Sequence, residues 1–387
     1  MQVNNTLRLI GLCLIFVAGC IDPFTPTIDE DQELLVIEGQ LIDREGYQHI
    51  NISRSSPYNN PHFIPEFGCH VEVVDDQGNI FNFNQSMPGG LYSRWMHQEE
   101  FSPGVQYKVR VITSNGNVYE SDYDMLATDC PPIDSVCYEI ETHETDDPDL
   151  PMKGIQFFVD VDPGDDIDRK FRWELTETWE YWAVYPIQYY FDGQNIYDMS
   201  NPLQFYRCWN TQRISTIFMA NTEYSTTNKI KKFPLHFVSE RTSRLKVKYS
   251  FLIRQYSLSD EAYDYWLNLK TQSQETGGLY EIQPPQVTGN IYNVNDPEEK
   301  VLGYFNVSAV TEKRIFVDEQ FAFHYPGHGC RLDTIAVYQL YTLYGPSPVY
   351  MISVNPKGEG SPYGIGNGIC FDCREGGGTT NQPSFWK

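Results

Sequence analysis

Positive charge is scarce in this sequence. Against 52 acidic residues stand 28 lysines and arginines, a formal net charge of −24. Nucleic acid and anionic membrane surfaces are thereby excluded as ligands, since both require a basic face. The acidity serves solubility and favours a cationic partner over an anionic one. Long apolar runs are scarce too. The one at residues 9–18 is too short to span a bilayer as a helix, and nothing later in the chain is longer. The motifs of nucleophilic and metal-assisted hydrolysis are also missing. There is no Gly-x-Ser-x-Gly elbow, no His-Glu-x-x-His and no phosphate-cradling glycine loop. A glycosidase pair of carboxylates is uninformative in a chain this acidic. Internal repeats and low-complexity tracts are absent. Nothing here favours an enzyme, and no cofactor is expected.

What is present begins at the N-terminus. "MQVNNTLRLIGLCLIFVAGC" carries Arg8, then the short apolar run, and ends in Val17-Ala18-Gly19-Cys20, a match to the bacterial lipobox. Small residues before the cysteine admit a signal peptidase to the backbone. Residues 1–19 are then a lipoprotein signal peptide. Cys20 receives diacylglycerol on its thiol and a third acyl chain, of the palmitate kind, on its freed amine. Three chains anchor a protein stably where one does not. Residues 20–33 follow as an acidic, proline-containing tether. Ile21 is not aspartate, so the inner-membrane retention signal is absent. The acids after the lipidated cysteine are similar to surface-export signals of Bacteroidetes lipoproteins. The expected location is the outer membrane, lipid-anchored and facing outward.

Aromatics at 14% and charged residues at only 21% mark a folded chain. The fold class expected is mostly β. From residue 34 to 129, short alternating strands are broken by turn residues. In "VQYKVRVITSNGNVYESD", Tyr107, Val109 and Val111 share one face, and Asn115-Gly116 supplies the positive φ of a tight hairpin. "PGGLYSRWMHQEEFSPGVQYKVRV" resembles carboxypeptidase-regulatory or transthyretin-like modules, which implies an Ig-like β-sandwich for this part. "TDCPPIDSVCYEIE" marks the boundary to a larger β domain, residues 130–387, with a Cys/Gly-rich tail. Strands are expected through "GIQFFVDVDPGDDIDRKFRWELTETWEYWAVYP", with a hairpin loop at its acidic centre, and at "IAVYQLYTLY". One inserted helix is expected near 259–275. Ser259 is its N-cap, and Ala262, Tyr265, Trp266 and Leu269 lie on one face.

Seven cysteines remain once the signal is removed and Cys20 acylated: Cys69, Cys130, Cys137, Cys208, Cys330, Cys370 and Cys373. An exported compartment permits disulfides, and an odd count leaves at least one thiol free or paired between chains. Cys370-x-x-Cys373 sits in glycine-rich coil with no helix to lower a thiol pKa, which argues against redox catalysis. A zinc site from His324, His328 and Cys330 has irregular spacing. A staple is favoured. Cys208 and Cys330 are the expected partners of the tail cysteines, and Cys69 is expected to join Cys130 or Cys137.

Three further features carry chemistry. Asp160, Asp162, Asp165 and Asp166 alternate as calcium ligands do, without the EF-hand spacing or glutamate; a solvated loop explains them as well. Trp179, Tyr181, Trp182, Tyr185, Tyr189, Tyr190 and Phe191 crowd a hairpin-like region turned by Asp192-Gly193. They are the expected ligand or partner contact, unless alternate rings simply fill a core. Asp134-Ser135-Val136 and Asp333-Thr334-Ile335 resemble the O-glycosylation acceptor pattern of exported Bacteroidetes proteins.

The lipobox and tether, "CWNTQ" at 208–212, "YSFLIRQYSLSDEAYDYWLNLK", "QPPQVTGNIYNVNDPEEKVLGYFNVSAVTEKRIFV" and the closing "CFDCREGGGTTNQPSFW" occur in a fixed order. Together they resemble a domain-of-unknown-function family of Bacteroidetes outer-membrane lipoproteins encoded beside TonB-dependent receptors, over nearly the whole mature chain. The resemblance implies a location and a neighbour and carries no catalytic residues. The expected role is an accessory or ligand-binding subunit of a TonB-dependent transporter, held beside a receptor barrel by its lipid. The alternatives are a structural or assembly lipoprotein of the envelope and, third, a surface hydrolase of glycans or peptides.

Overall fold

A computed structural model describes residues 33–56, 61–86, 89–127, 129–147, 149–164, 169–223, 227–274, 287–327, 329–344, 348–355, 360 and 362–387. The expected signal peptide, the expected lipidation site Cys20 and all of the expected tether but Glu33 lie outside these residues. The chain is mostly β, with 49% of residues in strands and 10% in helices. A β-rich N-terminal body is followed by a larger β-rich one.

The N-terminal body comprises β1 (Leu35–Ile42), β2 (Gly46–Arg54), β3 (Ile64–Pro65), β4 (His70–Asp75), β5 (Ile80–Ser86), β6 (Leu91–Met96), β7 (Gln106–Ile112), β8 (Val118–Ser121) and β9 (Asp124–Met125). Its strands pair in the order β1-β2-β6-β5-β4-β7-β8. Alternation along them points Ile50, Ile52, Val71, Val73, Val109 and Val111 into one core. The β4–β5 turn closes because the Asp75 carboxylate accepts N–H groups from Gln77 and Asn79 at 3.0 and 2.7 Å.

The second body is a sandwich. One sheet holds β10 (Ile133–His143), β11 (Met152–Val161) and β16 (Ile230–Ser239). Facing it are β15 (Arg207–Asn221), β12 (Lys170–Trp182), β17 (Lys248–Ser257) and β19 (Phe305–Val317). Phe157 of one sheet stacks on Phe251 of the other with centroids 4.3 Å apart. The buried Trp173 indole donates to Gln255 Oε1 at 2.9 Å. The acidic loop after β11 is not a hairpin turn: β11 pairs with β10 and β16, and β12 with β15 and β17, so the chain crosses from one sheet to the other there.

One strand belongs to both bodies. Residues 305–308 of β19 run parallel to residues 39–42 of β1, and residues 309–317 continue antiparallel to β17. Just before it, β18 (Ile291–Asn293) pairs with β8. The core of the N-terminal body therefore includes Ile291, Val301, Phe305 and Val307, which adds the stretch 287–308 to the segment 34–129 expected from the sequence. Asp124 Oδ2 accepts from the Val307 amide at 2.7 Å, and Asp43 Oδ1 from that of Val310 at 2.8 Å, which pins the shared strand.

The helix expected near 259–275 is α1 (Asp260–Gln274). Ser259 Oγ accepts the Ala262 amide at 3.3 Å, and Ala262, Tyr263, Tyr265 and Trp266 pack against Tyr256 and Tyr304. A second helix, α2 (Val337–Leu343), occupies a stretch whose apolar alternation predicts a strand. It belongs to a small cap with β13 (Tyr189–Phe191), β14 (Ile196–Asp198), β20 (Asp333–Ile335), β21 (Val349–Ser353) and β22 (Tyr363–Ile365), paired β14-β13-β21-β22-β20. The cap is built from the insertion between β12 and β15 and from the C-terminal segment.

Candidate functional site

The tail cysteines are staples. Cys208, at the start of β15, is bonded to Cys373 across 165 residues, and Cys330 to Cys370 across 40. The two members of the Cys-x-x-Cys pair thus hold different partners, each on its own 3-10 turn (368–370 and 373–376). Cys69, Cys130 and Cys137 are free, which corrects the expectation that Cys69 pairs with one of the other two. They sit in different surroundings: Cys69 half-buried beside the N-terminal core, Cys130 buried with its Sγ–H donating to the Gln255 carbonyl, and Cys137 exposed on β10.

The weaker zinc alternative meets the same chemistry. Cys330 is oxidised in its disulfide and offers no thiolate, and His324 is exposed; His328 lies outside the described residues. For calcium, Asp160 already accepts from Ser135 Oγ (2.8 Å) and the Lys232 amide (2.6 Å), and Asp162 holds Lys229 Nζ at 2.5 Å. Both carboxyls lie below the ordinary value: at Asp160 burial is the largest influence and raises it, but the hydrogen bonds from the Lys232 amide and Ser135 together outweigh it, and at Asp162 the bond from Lys229 dominates. Asp165 and Asp166 lie outside the described residues. Among the described residues no group of three His, Cys, Asp or Glu is placed to hold a metal.

The aromatic set does not form one platform. Phe191 is fully buried in the cap core, and Tyr189 packs edge-on against Tyr363. Tyr181 is a strut: its hydroxyl donates to the Cys373 carbonyl at 2.7 Å and accepts from the Gly378 amide at 2.9 Å. Trp179 lies against the sandwich core under the Arg244 guanidinium, and Tyr185 lies against Phe371. Only Trp182 is well exposed, with its Nε1–H bound to Glu180; Tyr190 is half-buried on Tyr197. Six of the seven rings lie on β12 or β13 and Tyr185 in the bend between them, and the sequence pattern does not say what each one faces.

Two exposed surfaces take their place. The first is α2. Its sole buried residue is Leu340, while Tyr338 is 71% exposed, Leu343 67% and Tyr341 52%, with Val337 and Tyr344 exposed beside them. Gln339 Oε1 accepts the Ala336 amide at 2.8 Å and holds the helix start. That glutamine is the capping signal for a helix here. Tyr341 rests edge-on against Phe191 at 5.2 Å, so the apolar face is fastened to the cap core. Two disulfides fasten the cap in turn.

The second surface is the outer face of β2, β6 and β5. Tyr47 stands opposite Trp95 and meets it edge to face, centroids 5.2 Å apart at 89°. They are 62% and 46% exposed. Neither surface was singled out from the sequence, because an exposed tyrosine and a core tyrosine look alike in a strand pattern.

The buried ionic groups elsewhere are structural. Glu177 holds Arg244 Nη1 at 2.5 Å and the Tyr249 hydroxyl at 2.8 Å inside the sandwich. Glu180 gathers Arg207 and the indoles of Trp182 and Trp386. Ser135, of the first acceptor-like tripeptide, is engaged by Asp160, whereas Thr334, of the second, is exposed on β20. Among the described residues no helix is long and apolar enough to cross a membrane.

A family model described as "Domain of unknown function (DUF4249)" matches residues 21–314. The match stops short of the closing cysteine block and of α2. No curated protein sequence matches the chain. Among solved structures, a DUF4785 family protein from Legionella pneumophila is similar at 10% identity, over 57% of this chain and 51% of that one, with a TM-score of 0.17. The chain thus spans about half of that protein's length.

Proposed function

The chain belongs to the DUF4249 family, whose function is unknown, and from that premise we propose that it is a lipid-anchored accessory subunit of a TonB-dependent transporter in the outer membrane. In this reading the acyl chains on Cys20 confine the protein to two dimensions beside the barrel. Confinement raises its effective concentration, so that a modest docking surface suffices. The observation that carries the reading is the exposed apolar face of α2. Tyrosines and a leucine on a rigid element, with polar tips at the edge, have the composition of an interface and not of a solvated helix. The disulfides hold that face in place, so little ordering cost is due on association.

The test uses the tagged, lipidated protein in its native membrane. Tyr338→Ser and Leu343→Ser together remove the two most exposed contacts without touching Leu340. Co-purification of a TonB-dependent barrel in mild detergent is expected for the unaltered protein and strongly reduced for the double variant. A barrel retained equally by both would remove α2 from the account.

A further inference from the structure

The outer face of β2, β6 and β5 is chemically unlike the rest of this protein. Tyr47, His49 and Asn51 project from β2, Trp95 from β6, and Asn82 and Asn84 from β5, every one of them exposed. In a chain where 21% of residues are charged and the net charge is −24, these six include no Asp, Glu, Lys or Arg. Charge returns one strand further out on each side. Glu38 lies opposite Asn51 on β1, and Glu72, already paired with Arg110, lies opposite Asn82 on β4.

The polar groups are also unengaged. Among the described residues, the amides of Asn51, Asn82 and Asn84 make no hydrogen bond within the protein, whereas the turn asparagines Asn79 and Asn115 do. A side-chain amide offers two donors and an acceptor on a short stem, which suits hydroxyl groups that both give and accept. At one end of the face the Tyr47 and Trp95 rings meet at a right angle and form a corner with two π faces. The His49 ring extends the row, stacked at 20° to Tyr47 with centroids 6.4 Å apart.

We propose that this face is a binding surface for neutral carbohydrate. The C–H groups of a sugar ring lie against Trp95 and Tyr47, and its hydroxyls bond to His49 and the three asparagines. The absence of charge sets the class. The charges beside the face are the carboxylates of Glu38 and Glu72, the second already paired with Arg110, so an anionic glycan would meet no unpaired cation here. Successive exposed positions along a strand are about 7 Å apart and neighbouring strands about 4.8 Å apart, so the six side chains span more than one sugar residue. The surface lies on the N-terminal body and α2 on the cap, and the inference stands whether or not the cap docks on a barrel.

The experiment is affinity electrophoresis of the full chain, through gels containing soluble neutral polysaccharides (glucans, mannans, xylan) or, in parallel, polyuronates. Trp95→Ala and Tyr47→Ala are the variants, and their thermal unfolding is checked first. Both side chains are exposed, so both variants are expected to melt with the parent. The proposal expects retardation by at least one neutral polysaccharide, insensitive to salt, with binding weakened about tenfold or more by Trp95→Ala. It is overturned by no retardation in any neutral gel, by retardation in the polyuronates alone, or by binding that survives both substitutions.

Discussion

The indole Nε1–H of Trp386 donates to Oε2 of Glu180 at 3.1 Å, joining the end of the described chain to the last residues of β12 across 206 residues. Trp386 is buried there, edge-on to Trp209 and Phe316. Glu180 binds Arg207 and Trp182 with its remaining capacity. The C-terminal segment therefore completes the sandwich and does not trail from it. Trp386→Ala is expected to cost about 3–5 kcal/mol through the cavity and the lost bond to a buried carboxylate. Denaturant unfolding of the variant measures it. A loss below about 1 kcal/mol would mean that the segment is not held in this way.

The cysteines give a second prediction. In the unreduced, denatured protein, Cys69, Cys130 and Cys137 are the titratable thiols, and Cys208, Cys330, Cys370 and Cys373 are not. In the folded protein Cys137 reacts first because it is exposed. Cys130 is protected by position and by chemistry, since burial raises its thiol pKa and less thiolate is present at neutral pH. Peptide mapping after timed alkylation reads the order. Removing the Cys208–Cys373 bond with Cys208→Ser is expected to destabilise the protein by about 2–5 kcal/mol.

Stability should fall on mild acidification. His236 lies inside the sandwich with its Nε2 3.8 Å from Glu177 Oε2 and Arg244 nearby. Burial holds the imidazole below its ordinary 6.5, opposed by Glu177 and assisted by Arg244. The unfolded chain therefore takes up this proton at a higher pH than the folded one. The contribution is intact above about pH 6.5 and is lost as pH falls from there toward the folded pKa. In His236→Gln the slope of unfolding free energy against pH between about 6.5 and 5 should be shallower. An unchanged slope would show that other groups set it.

A fourth prediction concerns the shared strand. Gly303 has φ +99, and a Cβ there would lie 2.0 Å from the Ile37 carbonyl oxygen. The backbone bonds of Ile37 and Leu35 to Leu302 bring the chains this close. Gly303→Ala should lower the melting temperature by many degrees, or abolish soluble expression, whereas Gly104→Ala, which shares the positive φ (+80) but has open space around it, should cost only the backbone strain of about 1–2 kcal/mol. Equal effects of the two would contradict the close approach.

Local chemistry was legible and long-range pairing was not. The Asn115-Gly116 hairpin, the Ser259 cap and the staple role of Cys370 and Cys373 follow from residues within a few positions of one another. The return of residues 287–308 to the N-terminal body was hidden, because pairing of β18 with β8 leaves no trace in either strand's own pattern. Helix α2 reads as a strand because apolar residues crowd both faces: Tyr338, Leu340 and Tyr344 satisfy the period of a strand while Val337, Leu340 and Tyr344 satisfy that of a helix, and its single capping glutamine is a weak signal. The aromatic set misled for a related reason. Alternation shows that rings point to two sides, but not that one side is a cap core, as for Phe191, and the other a strut, as for Tyr181.

The most direct test of the central claim is a mild-detergent purification of the tagged full chain from the membranes of its own cells, with quantitative mass spectrometry of what accompanies it. The account predicts a near-stoichiometric TonB-dependent barrel that is lost with Tyr338→Ser and Leu343→Ser. Recovery of the protein by itself would contradict it.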